Sequence, residues 1–133
     1  MTQITTSKEF VVPLENKPGT LGDIANALGK ANVNITGFLV ESQGEFGVFR
    51  FTTNEPTKTE SWLKQSSRPY RANEVLVAAI ANTPGELGRI ASTLAKSGVN
   101  IQATYPSSTL TGSNVGVTIA VSDLPTARKI LGQ

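Results

Sequence analysis

The chain has 133 residues, with twelve basic against ten acidic side chains for a net charge of +2, and 38% of it is hydrophobic. That suits one domain or two very small ones, is too apolar for a disordered chain, and is too near charge balance to imply nucleic acid as a partner. With no cysteine or histidine there is no disulfide framework, no thiolate metal site and no cysteine nucleophile, and the commonest general base is missing.

The opening, Met1 to Lys8, is polar and lacks the apolar segment of a signal peptide. No later run reaches the roughly eighteen apolar residues of a membrane span. A cytoplasmic protein with no membrane partner is expected. Phe10-Val11-Val12 is a short β-type run, and Pro13 falls inside or at the end of it. Proline cannot donate to a sheet ladder, so a strand end, a bulge or a strand that is less central in its sheet is expected there. Asn16-Lys17-Pro18-Gly19-Thr20-Leu21 follows. Pro-Gly fills the central positions of a type II turn, because proline pre-sets a negative φ and glycine accepts a positive one. Leu21, Ile24, Ala25 and Leu28 then recur at i, i+3, i+4 and i+7, a helical stripe directed at a core. Asn32 tolerates the left-handed residue that ends a helix, and Val33-Asn34-Ile35 begins a strand. Ile35 to Ser42 and Phe46 to Thr52 read as a hairpin around Gln43-Gly44, and Pro56 opens a short helix containing Trp62.

The pattern then returns. Val75 to Ile80 is a second apolar strand, and Asn82 to Ile101 repeats Asn16 to Ile35 with twelve of twenty residues identical. Pro84, Gly85 and Leu87 match Pro18, Gly19 and Leu21, Glu86 replaces Thr20, and Gly98 takes the helix-ending place of Asn32. Strands Ile101 to Tyr105 and Val115 to Val121 follow, joined by a longer connection, and Pro125 opens a last helix in which Leu131 faces Trp62. An internal repeat of this quality sets the organisation ahead of any propensity. Residues 8–71 form the first repeat and 72–133 the second, with one long or bent strand around 70–80 serving both.

Strand, Asn-x-Pro-Gly-x-Leu, amphipathic helix, Val-Asn-Ile, hairpin and second helix, present twice, resemble the ACT domain, and the arrangement resembles the small stand-alone tandem ACT proteins. The resemblance implies an α+β chain of two ferredoxin-like βαββαβ repeats, each an antiparallel sheet with its helices on one face. Only Leu131-Gly132-Gln133 follow the last helix, so the last strand of the second repeat is missing, or comes from a partner or from the N-terminal segment. An open sheet edge is a liability that proteins usually cover, so a homodimer is expected to cover it. The resemblance further implies a non-catalytic regulatory protein, without metal or cofactor, that binds a free amino acid at a domain interface and signals to an enzyme or regulator. The residues it points to are Asn16, Pro18, Gly19, Thr20 and Leu21 with Asn34 and Ile35, and Asn82, Pro84, Gly85, Glu86 and Leu87 with Asn100 and Ile101. A turn that opens a helix offers free N–H groups and the positive end of the helix dipole, which suits a carboxylate. Asn34 and Asn100 are expected to receive the ligand's amino group.

The same residues have plainer uses. The Pro-Gly pairs turn the chain, Leu21 and Leu87 fit a core, Asn16 and Asn82 fit Asx caps, and Glu86 favours the helix dipole by itself. Because Glu86 stands where a ligand carboxylate would sit, the first copy is the expected working site. A structural dimerisation module without ligand fits the same sequence. An RNA-binding reading of "GEFGVFRF", Gly44 to Phe51, fails on its charge: Glu45 stands beside the stacking positions, which is wrong for a phosphate backbone. Alternation instead places Phe49 and Phe51 under the helices and Phe46 and Val48 on the other face. The carboxylates form no catalytic pair and no nucleophile motif is present, so no enzyme is expected. Arg68-Pro69-Tyr70-Arg71, the one basic cluster, reads as a solvated connection.

Overall fold

The structure, a computed structural model, describes residues 3–108 and 114–132. Ten elements follow in the order β1 (Gln3–Glu15), α1 (Thr20–Lys30), β2 (Ile35–Gln43), β3 (Phe46–Thr53), α2 (Pro56–Gln65), β4 (Arg71–Ala81), α3 (Glu86–Lys96), β5 (Ile101–Ser107), β6 (Asn114–Val121) and α4 (Leu124–Leu131). Residues 109–113 of the expected long connection lie outside the described residues. The chain divides into two compact units, Lys8–Asn73 and Met1–Ser7 together with Glu74–Gln133.

In the N-terminal unit β3 pairs antiparallel with both β1 and β2. Phe10, Val12 and Leu14 of β1 and Phe49 and Phe51 of β3 meet Ile24 and Leu28 of α1 and Leu63 of α2 in one core. Phe49 stacks on Phe51 at 4.4 Å between ring centroids, and Phe10 lies 5.7 Å from Phe51. Burying each of these side chains stabilises the unit by about 1.5–3 kcal/mol. Alternation leaves Phe46 and Val48 on the opposite face, 64% and 38% exposed, as the pattern predicts. Pro13 forms neither end nor bulge, because it pairs in regular register with Val48. The Asn16 amide donates to the Glu45 carbonyl, 2.8 Å, in continuation of that register. Hydrogen-bonded pairs therefore fall on Leu14, Val12 and Phe10, and the Pro13 nitrogen points away from β3, where no donor is needed.

The C-terminal unit repeats the plan, with β6 paired antiparallel to β4 and β5. Leu76, Ala78 and Ile80 of β4 and Val117 and Ile119 of β6 pack beneath Ile90 and Leu94 of α3 and Ala127 and Leu131 of α4. Both first helices end in a Schellman motif. Val33 donates to Leu28 and Asn32 to Gly29 in one, Val99 to Leu94 and Gly98 to Ala95 in the other. The residues at the turn, Asn32 and Gly98, have φ of 62° and 73°.

The last strand of the second repeat is neither missing nor borrowed from a partner. Residues as far as Ser7 belong to the C-terminal unit, Ile4 packs on its core, and β1 neighbours β4 in the sheet. In turn Arg71–Asn73, the start of β4, belongs to the N-terminal unit. Each long strand therefore begins in one unit and continues in the other. The edge whose exposure argued for a homodimer is filled by the chain's own N-terminal segment.

Candidate functional site

Both Asn-x-Pro-Gly-x-Leu segments form the turn their composition demands. Gly19 has φ 94° and ψ −18°, Gly85 φ 87° and ψ −9°, and each is the N-cap of its helix. The Thr20 amide closes on the Lys17 carbonyl at 3.5 Å and the Glu86 amide on Thr83 at 3.4 Å, the type II arrangement. Neither helix receives a side-chain cap from its N-cap residue. Leu21 and Leu87 are 38% and 53% exposed, so neither belongs to the core expected for them. Each stands in the first helical turn, before the buried Ile24 or Ile90. In the N-terminal unit the buried residues of β1 end at Leu14.

Asn16 does not cap the turn. Its carboxamide donates to the Gly44 carbonyl at 2.7 Å, tying the turn to the β2–β3 hairpin. The Thr20 hydroxyl donates to the Glu15 carbonyl at 2.8 Å, with Lys17 at 3.2 Å, which fixes its rotamer and leaves its lone pairs outward.

Asn34 and Ile35 are elsewhere. Asn34 exchanges backbone and side-chain bonds with Asn54 beyond the end of β3, whereas Asn16 bonds at Gly44 and Glu45 before its start. The eight residues of β3 separate the two by about 26 Å. Asn100 makes the same exchange with Ser122 after β6, at the end of its unit opposite Asn82, which follows β4. Within one unit, then, the turn and the Val-Asn-Ile segment do not share a pocket. They are adjacent in sequence, but α1 (eleven residues, about 16 Å) runs the length of the unit between them.

Of the predicted residues, Thr20 lines a cavity, about 310 Å³, beside the first turn. Its other polar walls are Glu15, Lys17, Asp23 and Arg68, over Pro13 and Leu14. Lys17 pairs with Glu15 at 2.8 Å, and that hydrogen bond holds the Glu15 carboxyl below its usual range. Arg68 stacks over Trp62, 5.7 Å from the ring centroid. Two cations and two carboxylates thus surround one small space. Glu15, Lys17, Asp23 and Arg68 were missed by sequence reasoning. The available signal was that Lys17 and Asp23 change to Thr83 and Arg89, two of the eight changes among the twenty repeated residues.

The second turn differs in charge. Arg89 forms an ion pair with Glu86 one turn away, and this contact, foremost among several, lowers the Glu86 carboxyl. The Glu86 side chain is only 17% exposed. The turn that matches the first in backbone is filled by the protein's own carboxylate and guanidinium.

A family model described as "ACT domain pair" matches residues 5–131. No curated protein matches the sequence. Among solved structures, a protein from Bacteroides thetaiotaomicron is 26% identical with a TM-score of 0.84, over 97% of this chain and 88% of that one. The regulatory subunit of aspartate kinase from Thermus thermophilus, in a ligand-free form, is 14% identical with a TM-score of 0.69, over 99% and 95%. A structure of aspartokinase alpha and beta subunits is 19% identical with a TM-score of 0.68, over 98% and 93%.

Proposed function

Because this chain belongs to the ACT domain pair family, we propose that it is a non-catalytic regulatory protein that binds a free amino acid at the first Asn-x-Pro-Gly-x-Leu turn. The observation that carries this reading is the mixed charge of the cavity beside Lys17–Thr20. A zwitterion needs a cation for its carboxylate and a carboxylate for its ammonium within a few ångströms. Lys17 and Arg68 supply the first, and Glu15 and Asp23 the second. A volume of about 310 Å³ lies at the small end of ligand sites and suits one amino acid. The fold is shared with the regulatory subunit of aspartate kinase from Thermus thermophilus, which agrees with a regulatory role here. The ligand acts by linkage: it stabilises one arrangement of the chain, or of chain and partner enzyme, by its differential affinity for that arrangement.

A thermal-shift screen against the twenty amino acids tests the proposal. One of them, at a hundred times its dissociation constant, should stabilise the protein by about 2.7 kcal/mol. Gly19→Val should remove that binding, because a β-branched residue cannot hold φ 94°. Gly85→Val should leave it, because the second turn has Ala81, Thr83 and Arg89 where the first has Glu15, Lys17 and Asp23. Silence across all twenty amino acids, or binding lost only with Gly85→Val, defeats the reading.

The same proposal includes a homodimer, now on different grounds from an open edge. Phe38 and Val40 pair in register with the core residues Phe51 and Phe49, yet are 61% and 38% exposed. Two apolar side chains on the helix side of β2 offer a contact for a second copy. Light scattering should give twice the chain mass, reduced to a single mass by Phe38→Glu. A monomeric mass for the unaltered chain at tens of micromolar ends this part of the proposal.

A further inference from the structure

We propose that the outer face of the N-terminal unit's sheet carries a second ligand site, distinct from the turn, for a small organic anion with an apolar body and one carboxylate or phosphate. Since Phe10 and Val12 face the core, Val11 and Pro13 face outward, opposite Arg50 and Val48 in the register. Pro69, Tyr70 and Arg71, which follow α2, border the same groove as these residues. Together Val11, Pro13, Val48, Pro69 and Tyr70 line this groove, of about 380 Å³, with Arg50 and Arg71 as its charges.

The groove is built rather than incidental. Tyr70 is held at both ends: its ring lies 6.4 Å from that of Phe10, and its hydroxyl donates to Glu60 at 2.8 Å. The Arg50 side chain, 21% exposed, gives one bond to the fully buried Glu9 at 3.0 Å. That bond fixes the guanidinium plane and leaves its other N–H groups for a ligand. Arg71 is exposed and has no ion-pair partner among the described residues. None of the lining residues is acidic. Two guanidiniums thus line the groove itself, while the carboxylates of that face, Glu9 behind Arg50 and Glu41 opposite Val48, stand outside its lining. A planar guanidinium binds carboxylate or phosphate through paired hydrogen bonds, and apolar walls take the rest of the molecule.

The second repeat shows that the scaffold does not require this chemistry. At the same places in its register stand Ala79 for Pro13, Gly116 for Val48 and Thr118 for Arg50. Thr118 keeps a buried hydroxyl without a partner among the described residues. In that unit, which is completed by the residues up to Ser7, Gln3, Ile4 and Thr5 take the places of Pro69, Tyr70 and Arg71, so neither the tyrosine nor the guanidinium is kept. Shared positions that hold the fold are apolar in both copies. Of the groove positions, Val11 stays apolar as Val77 and Pro13 as Ala79, whereas Arg50 gives way to Thr118 and Val48 to Gly116, so charge and bulk are what distinguish the first copy.

The test uses the whole chain, labelled with ¹⁵N, titrated with benzoate, with phenyl phosphate and with neutral benzamide. Benzoate or phenyl phosphate should give saturable amide shifts at Val11, Val48 and Arg71, and whichever of the two binds more tightly identifies the head group. Benzamide should bind at least about tenfold more weakly, and Arg71→Gln should weaken the anion by a similar factor. The spectrum elsewhere should stay unchanged, as befits an exposed residue. Equal affinity for benzamide, an Arg71→Gln chain that binds as before, or shifts confined to Lys17–Thr20 would each overturn the site. Because the amino-acid proposal is read at the turn and with Gly19→Val, the two can fail separately.

Discussion

A chain shortened to begin at Lys8 should keep its N-terminal unit folded while its C-terminal unit loses about 3 kcal/mol of local stability. The removed residues include five of the thirteen of β1, Gln3 to Ser7, and they belong to the C-terminal unit. Ile4 leaves the core formed by Leu76, Ile90, Leu94, Ile119 and Leu131. Its Cδ1 lies 3.4 Å from where a Cβ on Gly132 would stand, so the end of α4 loses its neighbour. The loss of partial Ile burial is worth about 1–2 kcal/mol. The unpaired backbone along β4 adds about 1 kcal/mol for each bond not replaced by water, offset by the entropy of five residues no longer held. Hydrogen exchange checks the prediction: amides of Glu74 to Ala81 should exchange faster by about two orders of magnitude, while those of Phe10, Val12, Phe49 and Phe51 hold. A uniform loss of protection across both units, or none in either, would show that the strand is not divided as described.

That division explains element lengths that local propensity does not. β1 has thirteen residues and β4 eleven, against five or six for an average strand. The turn, the helices and their Schellman ends were legible because each rests on neighbours within six residues: Pro-Gly, the i, i+4 pair of Ile24 and Leu28, and Asn32 or Gly98. The destination of Gln3–Ser7 was not, because its one large aliphatic residue, Ile4, gives too weak a period to choose between strand partners some seventy residues away. Leu21 and Leu87 were misread for a related reason. Helical period tells which side a residue is on, not where the buried surface ends. The candidate site suffered most. Asn34 follows the turn closely in sequence but lies at the other end of the unit, and Arg68, which reaches the cavity, is forty-eight positions from Thr20. Cavity walls are assembled by strand pairing, which no local pattern encodes.

The largest single-residue effect should come from Arg50→Met, at roughly 3–5 kcal/mol of global stability. Glu9 is fully buried in β1, on the face opposite the core. Its carboxylate receives Arg50 at 3.0 Å and the Asn73 carboxamide at 3.3 Å. Desolvating a carboxylate costs several kcal/mol, and the guanidinium is what offsets it. Methionine fills much of the arginine's volume, so the loss reads the charge rather than a void. The second repeat supplies the control: by the sequence repeat Val75 stands where the first holds Glu9, and in the register Thr118 stands where the first holds Arg50. Glu9→Val combined with Arg50→Met should therefore recover most of the loss, because no buried charge remains to be compensated. Urea denaturation of the two single variants, the double variant and the parent gives the coupling directly. A cost below about 1 kcal/mol for Arg50→Met, or a double variant as unstable as the sum of its parts, would mean that Glu9 is supported by other contacts. Recovery in the double variant would mean that the pair is not needed for the fold. Its retention in one repeat alone would then be explained by what Arg50 does on the outer face, where it lines the groove with Arg71.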